Sequence, residues 1–170
     1  VRLDVMLVRK LGLPSHRELA MGAIASGGVR VLNEDVVRGY GVDADTLDAV
    51  ATEEGRELER RSRVYRGLRP LPTLAGQVVI LVDDGLATGA TMRAAIEAVR
   101  RSRPAEIVVA VPVAPQQTIA ELEQQVERVV CPHRPEPFFA IGQWYHSFEQ
   151  TTDAQVVALL QRAWTHEARS

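Results

Sequence analysis

The sequence predicts an α/β fold in which a parallel sheet is flanked by helices. Two unbroken apolar runs, over residues 78–82 and 107–111, have the composition of strands buried on both faces. A segment with helical patterning follows each run, and this alternation is typical of parallel α/β units with right-handed crossovers. With 170 residues and 46% apolar content, the chain is long enough for one domain with a sizeable core.

The start of the chain is predicted to be a strand that ends in two cations. Residues 3–8 form the predicted strand, and Arg9 and Lys10 follow it directly. Open α/β sheets bind their ligands at the carboxyl edge, so these cations could face an anionic ligand. The alternative is that they are solvated charges at a strand end.

Turn and capping residues define the elements up to the first apolar run. The Ser26-Gly27-Gly28 turn predicts a hairpin, and Asp43, Asp45 and Gly67 mark the ends of a long helix. The predicted elements are a strand over 18–24, a strand over 29–32, a loop over 33–42 and a helix from Asp43 or Asp45 to Arg66.

After the first apolar run, the predicted elements alternate between helix and strand. They are a helix through residues 93–99, a strand over 107–111, a helix over 116–125, a short strand over 126–130 and a final helix over 153–164. Pro115 suits the first turn of the second of these helices. The succession supports the parallel sheet.

Two carboxylates, a loop of small residues and a helix start follow one another directly after residue 82. The residues are Asp83, Asp84, Gly85, Leu86, Ala87, Thr88, Gly89, Ala90 and Thr91. Backbone N–H groups of such a loop, together with the positive end of the helix dipole, form an anion site that requires no lysine. Adjacent carboxylates would repel a phosphate, so we expect them to hold neutral hydroxyls or a divalent cation carried by the same ligand. A ribose 5-phosphate carries both groups.

The run from Val82 to Met92 resembles the phosphoribosyl pyrophosphate (PRPP) signature of the type I phosphoribosyltransferase family. The resemblance implies a Rossmann-like sheet with a small C-terminal hood, ribose hydroxyls bound by Asp83 and Asp84, and a 5-phosphate bound by the loop. It implies Asp83, Asp84 and Lys10 as catalytic residues. A P-loop would need a lysine and another glycine spacing, and a response-regulator receiver would not place Thr-Gly-Ala-Thr after its acidic pair. A structural strand-to-helix turn is the remaining alternative.

The resemblance extends to the start of the chain. The run from Val8 to Gly12 resembles the family's second strand, where a basic residue faces the pyrophosphate, so Arg9 or Lys10 is expected to do so. In that family an earlier strand, helix and pyrophosphate-cradling loop precede this strand. None precedes Val1, so we expect this sequence to be an N-terminally shortened form of a longer domain. Residues 13–24 are similar to an uncharacterised bacterial branch of predicted phosphoribosyltransferases.

Aromatic residues concentrate in the C-terminal tail. We expect a core over about residues 1–130 and a hood with a closing helix over about 131–170. If the tail resembles the family's hood, Phe139, Trp144 and Tyr145 would stack on the acceptor. The alternative is that these side chains only pack against the core.

The resemblance implies Mg²⁺-dependent phosphoribosyl transfer between PRPP and an unidentified nucleophile, such as a nucleobase or another small acceptor. Mg²⁺ would arrive with PRPP, and Asp83 or Asp84 could contact it. Expected ligands are PRPP or a ribose 5-phosphate nucleotide, and pyrophosphate, and the family allows a homodimer. Ala87 stands where hypoxanthine-guanine enzymes usually carry an acid, so a purine general base is missing from the loop. The rival function is a non-catalytic regulator or sensor that binds PRPP or a nucleotide.

Charge and composition argue against several other classes of function. The 20 basic and 22 acidic side chains give a net charge of −2, which argues against non-specific binding to nucleic acid or anionic membranes. The single cysteine, Cys131, excludes an internal disulfide, and no apolar run approaches the ~18 residues of a membrane span. A cytoplasmic location is therefore expected. Cys131 and His133 lack the repeated spacing of a metal site.

Overall fold

The computed structural model describes residues 2–167, apart from the side chains of Arg17 and Glu18. Contacts divide the chain into two compact units. The first unit runs up to Pro72 and includes the part from Gln150 onwards, and the second covers Thr73–Glu149. Residues 131–149 therefore belong with the second unit, and the final helix belongs with the first.

The first unit contains an antiparallel sheet of three strands in the order β1-β2-β3. The strands are β1 (Val8–Leu13), β2 (His16–Ala25) and β3 (Val29–Leu32). β2 and β3 form the hairpin predicted around the Ser26-Gly27-Gly28 turn, and its two glycines have φ of 88° and 75°. This prediction is confirmed.

The predicted strand over residues 3–8 is wrong. The strand is Val8–Leu13, it pairs antiparallel to β2, and it contains Arg9 and Lys10 in its interior instead of ending at them. Backbone groups just before this strand form hydrogen bonds with side chains. Arg66 donates to the Val5 carbonyl at 2.6 Å, and the Ser26 hydroxyl accepts from the Leu7 N–H at 3.1 Å.

Three helices accompany the antiparallel sheet: α1 (Glu34–Gly39), α2 (Ala44–Arg66) and α5 (Asp153–Glu167). α2 confirms the predicted long helix, since the Asp43 carboxylate accepts from the Thr46 N–H at 2.7 Å and Gly67 ends the helix at φ 58°. The loop predicted over 33–42 is wrong, because the Asn33 side chain caps α1 by accepting from the Val36 N–H.

Apolar side chains from β1, β2, α2 and α5 form the core of the first unit. The most buried members are Leu7, Leu11, Leu13, Met21, Ile24, Leu47, Leu58, Tyr65 and Leu160. Their burial supplies the main favourable term in the folding of this unit.

The second unit contains a parallel sheet of three strands in the order β4-β5-β6. The strands are β4 (Val78–Val82), β5 (Glu106–Ala110) and β6 (Arg128–Val130), and the connecting helices are α3 (Ala90–Arg101) and α4 (Gln116–Glu123). A short 3₁₀ helix, Ile141–Trp144, follows. The predicted α/β fold with a parallel sheet and flanking helices is confirmed.

β4 does not have the predicted burial on both faces. It lies at one end of the described strand order, and Val78, Ile80 and Val82 are 59%, 54% and 74% exposed. Leu81, on the opposite face, is buried. An unbroken apolar run therefore identified the strand correctly and its place in the sheet wrongly, because composition alone does not report which neighbours a strand has.

Within residues 2–167, no helix combines the length and the apolar character that crossing a membrane requires.

Candidate functional site

The carboxyl ends of the three parallel strands carry the candidate site. Asp83 and Asp84 follow β4, and the segments after β5 and β6 continue side by side beyond the sheet. The His133 N–H donates to the Pro112 carbonyl, and the Ala114 N–H donates to the His133 carbonyl, each at 3.2 Å. This is the edge at which open α/β sheets bind ligands.

The acidic pair is anchored to the end of β5 by the two residues that follow it. The Leu86 N–H donates to the Val113 carbonyl at 3.0 Å. A Cβ on Gly85 would lie 2.8 Å from Ile141 Cγ2 and 3.0 Å from Val113 Cγ1. Only glycine fits this close approach, so the position of the carboxylates is tied to the parallel sheet and to the 3₁₀ helix.

Asp83 and Asp84 lie on an exposed segment. Asp83 Oδ1 accepts from the Asp84 N–H at 3.0 Å. Partial burial of the carboxyl group raises the pKa of Asp83, the Asp84 N–H lowers it and the Asp84 carboxylate raises it. Among the described residues, no cation forms an ion pair with either carboxylate. Both groups can therefore accept hydrogen bonds from a ligand.

The loop reaches the start of α3 through Gly89. This residue is the N-cap of α3 at φ 71°, and it makes no side-chain cap bond. A Cβ at Gly89 would lie 2.9 Å from Thr118 Cγ2 and 3.2 Å from Arg93 Nη1. Gly89 has no side chain with which to cap the first turn of α3, and the Ala90 N–H donates to the Thr88 hydroxyl oxygen at 3.5 Å. Such a helix start favours an anion.

Two side chains outside the signature hold the loop in place. The buried Thr118 hydroxyl donates to the Ala87 carbonyl at 2.7 Å. Arg93 Nη2 donates to the Thr88 carbonyl at 2.8 Å, and its Nη1 lies 3.2 Å from Glu121. Sequence reasoning missed both residues. Arg93 lies one helical turn after Gly89, which is a local signal, whereas Thr118 comes from α4 and has none.

The hood, residues 131–149, and the segment after β5 border an open cavity beside the acidic pair. The cavity has a volume of about 330 Å³ and is lined by Pro112, Val113, His133, Trp144 and Tyr145. The Tyr145 hydroxyl donates to the Asp84 carbonyl at 2.5 Å, and the Trp144 and His133 rings meet edge-on with centroids 4.5 Å apart. Phe139 is 76% exposed and is not among the lining residues.

The predicted pyrophosphate-side cations lie in the first unit. Arg9 Nη2 pairs with Glu54 Oε2 at 2.6 Å, and Lys10 is exposed on β1 opposite Ala23. Their placement inside a strand removes the reason to expect them at a strand end. Their role toward pyrophosphate stays a prediction.

The described part of the chain holds no cluster of three or more His, Cys, Asp or Glu side chains that could ligate a metal. The Cys131 thiol instead donates to the His133 carbonyl at 3.2 Å. A divalent cation at Asp83 and Asp84 would therefore need most of its oxygen ligands from water and from a bound ligand, which is how proteins usually hold Mg²⁺.

Known proteins resemble this chain along most of its length. Residues 17–147 match the family described as the phosphoribosyl transferase domain. Two Mycobacterium tuberculosis strains, CDC 1551 and H37Rv, each have a protein named "Putative phosphoribosyl transferase" that is 48% identical over 161 residues. These residues are 95% of this chain and 36% of each relative, so the chain spans little more than a third of these relatives.

A further relative and a solved structure also resemble this chain, and the match covers a larger share of each of them. The "Bifunctional protein PyrR" of Corynebacterium glutamicum is 38% identical over 121 residues, which cover 65% of this chain and 62% of that protein. The crystal structure of TT1426 from Thermus thermophilus superposes with a TM-score of 0.81 at 40% identity. That match covers 95% of this chain and 76% of the TT1426 chain.

Proposed function

Because the chain belongs to the phosphoribosyl transferase domain family, we propose that it transfers a phosphoribosyl group between PRPP and a small nucleophilic acceptor, with Mg²⁺ bound beside PRPP. One observation carries the proposal. Along a single sheet edge lie two carboxylates without cation partners in the described chain, the N-terminus of α3 with its loop of small residues, and an aromatic cavity tied to them by Tyr145. The carboxylates suit a sugar diol, the helix start suits a phosphate and the cavity suits an acceptor.

The loop before α3 is the proposed site of the 5-phosphate. The amide of Thr91 and the hydroxyls of Thr88 and Thr91 can donate to phosphate oxygens, and the Ala90 amide can do so in exchange for its long bond to the Thr88 hydroxyl. The positive end of the α3 dipole adds about 0.3–1 kcal/mol for a negative group at this position. Arg93 fixes the Thr88 carbonyl and so keeps the loop in the shape that exposes these donors.

Asp83 and Asp84 are the proposed acceptors of the two ribose hydroxyls. Hydrogen bonds from a neutral hydroxyl to a carboxylate are charge-assisted and contribute roughly 1.5–3 kcal/mol each. Partial burial raises the pKa of Asp83, and hydroxyl donors would favour its charged form. The pair therefore gains more from a diol than from a second anion.

In the proposed reaction, the bond between ribose C1 and pyrophosphate breaks while positive charge develops on the ribose ring. Carboxylates that hold the ribose hydroxyls would also stabilise this charge, and the protein would contribute chiefly by positioning the reactants and excluding water. Neutralisation of the leaving pyrophosphate is the chemistry that bound Mg²⁺ supplies. The carboxylate oxygens of Asp83 and Asp84 fit a hard cation that also takes phosphate oxygens.

The hood cavity is the proposed acceptor site. Trp144 and Tyr145 offer aromatic surface for a planar acceptor, and the Tyr145–Asp84 hydrogen bond joins this surface to the ribose site. Phe139 does not line the cavity, and the proposed acceptor site does not include it.

Calorimetric titration with PRPP, with and without Mg²⁺, tests the proposal together with pyrophosphate release on a panel of nucleobases. We expect Mg²⁺-dependent PRPP binding and pyrophosphate release with at least one base. Binding without release on any acceptor would indicate the rival function, a PRPP sensor. Absence of PRPP binding in the presence of Mg²⁺ would contradict both.

A further inference from the structure

The hood cavity contains two side chains that can exchange a proton. They are His133 and Tyr145, and the remaining lining residues are Pro112, Val113 and Trp144. The Tyr145 hydroxyl already donates its proton to the Asp84 carbonyl at 2.5 Å. The imidazole of His133 is therefore the lining group that can offer a ring nitrogen as a proton acceptor.

The backbone of His133 is fixed on both sides. Its N–H donates to the Pro112 carbonyl at 3.2 Å, and its carbonyl accepts from the Ala114 N–H at 3.2 Å. The imidazole meets the Trp144 ring edge-on at a centroid distance of 4.5 Å. A ring held in this way is preorganised to contact whatever occupies the cavity.

The loop that carries the acidic pair supplies no other side chain that could take a proton from the acceptor molecule. Ala87 and Ala90 have methyl side chains, and Asp83 and Asp84 are assigned to the ribose hydroxyls in the function proposed above. An acceptor nitrogen that bonds to ribose must lose a proton to a group within hydrogen-bond reach. The cavity wall supplies such a group at His133.

We infer that His133 is the general base for the acceptor, and that the acceptor is a planar heterocycle or aromatic amine with an N–H group. The bond between ribose C1 and the pyrophosphate oxygen breaks, and its electron pair leaves with pyrophosphate. The acceptor nitrogen lone pair forms the new bond to C1, and the N–H proton passes to the unprotonated ring nitrogen of His133. In the reverse direction the imidazolium returns this proton. The inference rests on the proposed function.

Apolar and aromatic residues form the rest of the cavity wall around His133. Pro112 and Val113 line the cavity from the segment after β5, and Trp144 and Tyr145 line it from the hood. The neighbouring Cys131 thiol is directed at the His133 carbonyl, and Arg134 is directed at the Cys131 carbonyl and at Gln116 and Glu123 of α4.

The test measures pyrophosphate release from PRPP and Mg²⁺ with adenine, hypoxanthine, uracil and orotate between about pH 5 and pH 9, a range that brackets the ordinary pKa of histidine. The variants are His133→Gln, which keeps hydrogen bonding, and His133→Phe, which keeps an aromatic ring against Trp144. His146→Gln is the matched control, because His146 is an exposed hood histidine outside the cavity.

We expect both His133 variants to lower kcat about a hundredfold and to lose the acidic limb of the pH–rate profile that general-base catalysis produces. KM for PRPP should stay unchanged in both His133 variants, and the His146→Gln protein should keep the kcat and pH profile of the wild type. A His133→Gln protein with near-wild-type kcat and the same acidic limb would overturn the inference alone. A wild-type protein that binds PRPP but releases no pyrophosphate would overturn the proposed function and this inference with it. Full activity in His133→Phe would reduce His133 to a packing role.

Discussion

Arg66 in the first unit and Arg93 in the second make the same kind of contact for different purposes. Each guanidinium donates to a backbone carbonyl and pairs with a carboxylate, which is Asp4 for Arg66 and Glu121 for Arg93. The Arg66 side chain is only 4% exposed, whereas Arg93 is partly exposed beside Gly89. The first arginine fixes the interior of a unit, and the second fixes a loop whose other face stays open for a ligand.

The two units differ in how they treat charge, because the first neutralises charges within the protein and the second leaves carboxylates available to a ligand. In the first unit, Arg9 and Arg66 are paired with Glu54 and Asp4. In the second unit, Asp83 and Asp84 have no cation partner within the described chain. Unpaired carboxylates at a strand end contribute little to folding, so their presence is better explained by a ligand.

Replacing Arg66 by Met should give the largest loss of stability. It removes the partner of Asp4, a carboxylate that is itself mostly buried, and breaking a buried pair from one side costs about 3–5 kcal/mol. Urea unfolding of the Arg66→Met protein measures this loss. Arg61→Met is the control, because its pair with Glu57 is more exposed and should contribute far less to stability. Equal losses in the two variants would contradict the assignment.

Replacing Gly89 by Val should have the largest effect on PRPP affinity. The side chain would meet Thr118 and Arg93 and would force a β-branched residue into φ 71°, so we expect about a hundredfold weaker binding, or ~2.7 kcal/mol. Gly28→Val separates strain from obstruction, because Gly28 has φ 75° with nothing within 4 Å of an added Cβ. Both variants should lose stability in thermal unfolding, and only Gly89→Val should lose PRPP affinity. Similar PRPP affinities in the two proteins would count against the loop as a phosphate site.

The smallest expected effect is that of Tyr145→Phe. The change removes one hydrogen bond to the Asp84 carbonyl at the surface, which contributes about 0.5–1.5 kcal/mol. We expect KM for the acceptor to rise a few-fold while KM for PRPP stays unchanged. Phe139→Ala, outside the cavity, should change neither constant in the same steady-state assay. A larger effect from Phe139 than from Tyr145 would mean that the acceptor lies elsewhere.

The sequence predicted the acidic pair, the loop and α3 well because these parts are neighbours along the chain. Their order, 83–91, is itself the signal, and the structure adds only how Gly85 and Gly89 make room for Val113 and Thr118. The hairpin after β1 was predictable for the same reason, since its turn residues are local.

Contacts between distant residues explain the failures. The start of β1 depends on Arg66, which reaches Asp4 across 62 positions of the chain. Thr118 and His133 reach the site from segments after other strands, so no spacing near Asp83 announces them. The loop predicted over 33–42 is a different case, because Asn33 followed by Glu34 and Asp35 is a helix-start signal that the polar composition obscured.

The most direct test of the central claim is calorimetric titration of Asp83→Asn and Asp84→Asn with PRPP and Mg²⁺. Loss of charge-assisted bonds to the ribose hydroxyls should weaken binding about ten- to a hundredfold in either variant, with little loss of stability because both residues are exposed. Asp45→Asn, an exposed substitution in the first turn of α2, is the control and should bind PRPP like the wild type. Unchanged affinity in both Asp83→Asn and Asp84→Asn would contradict the assignment of this edge as a PRPP site.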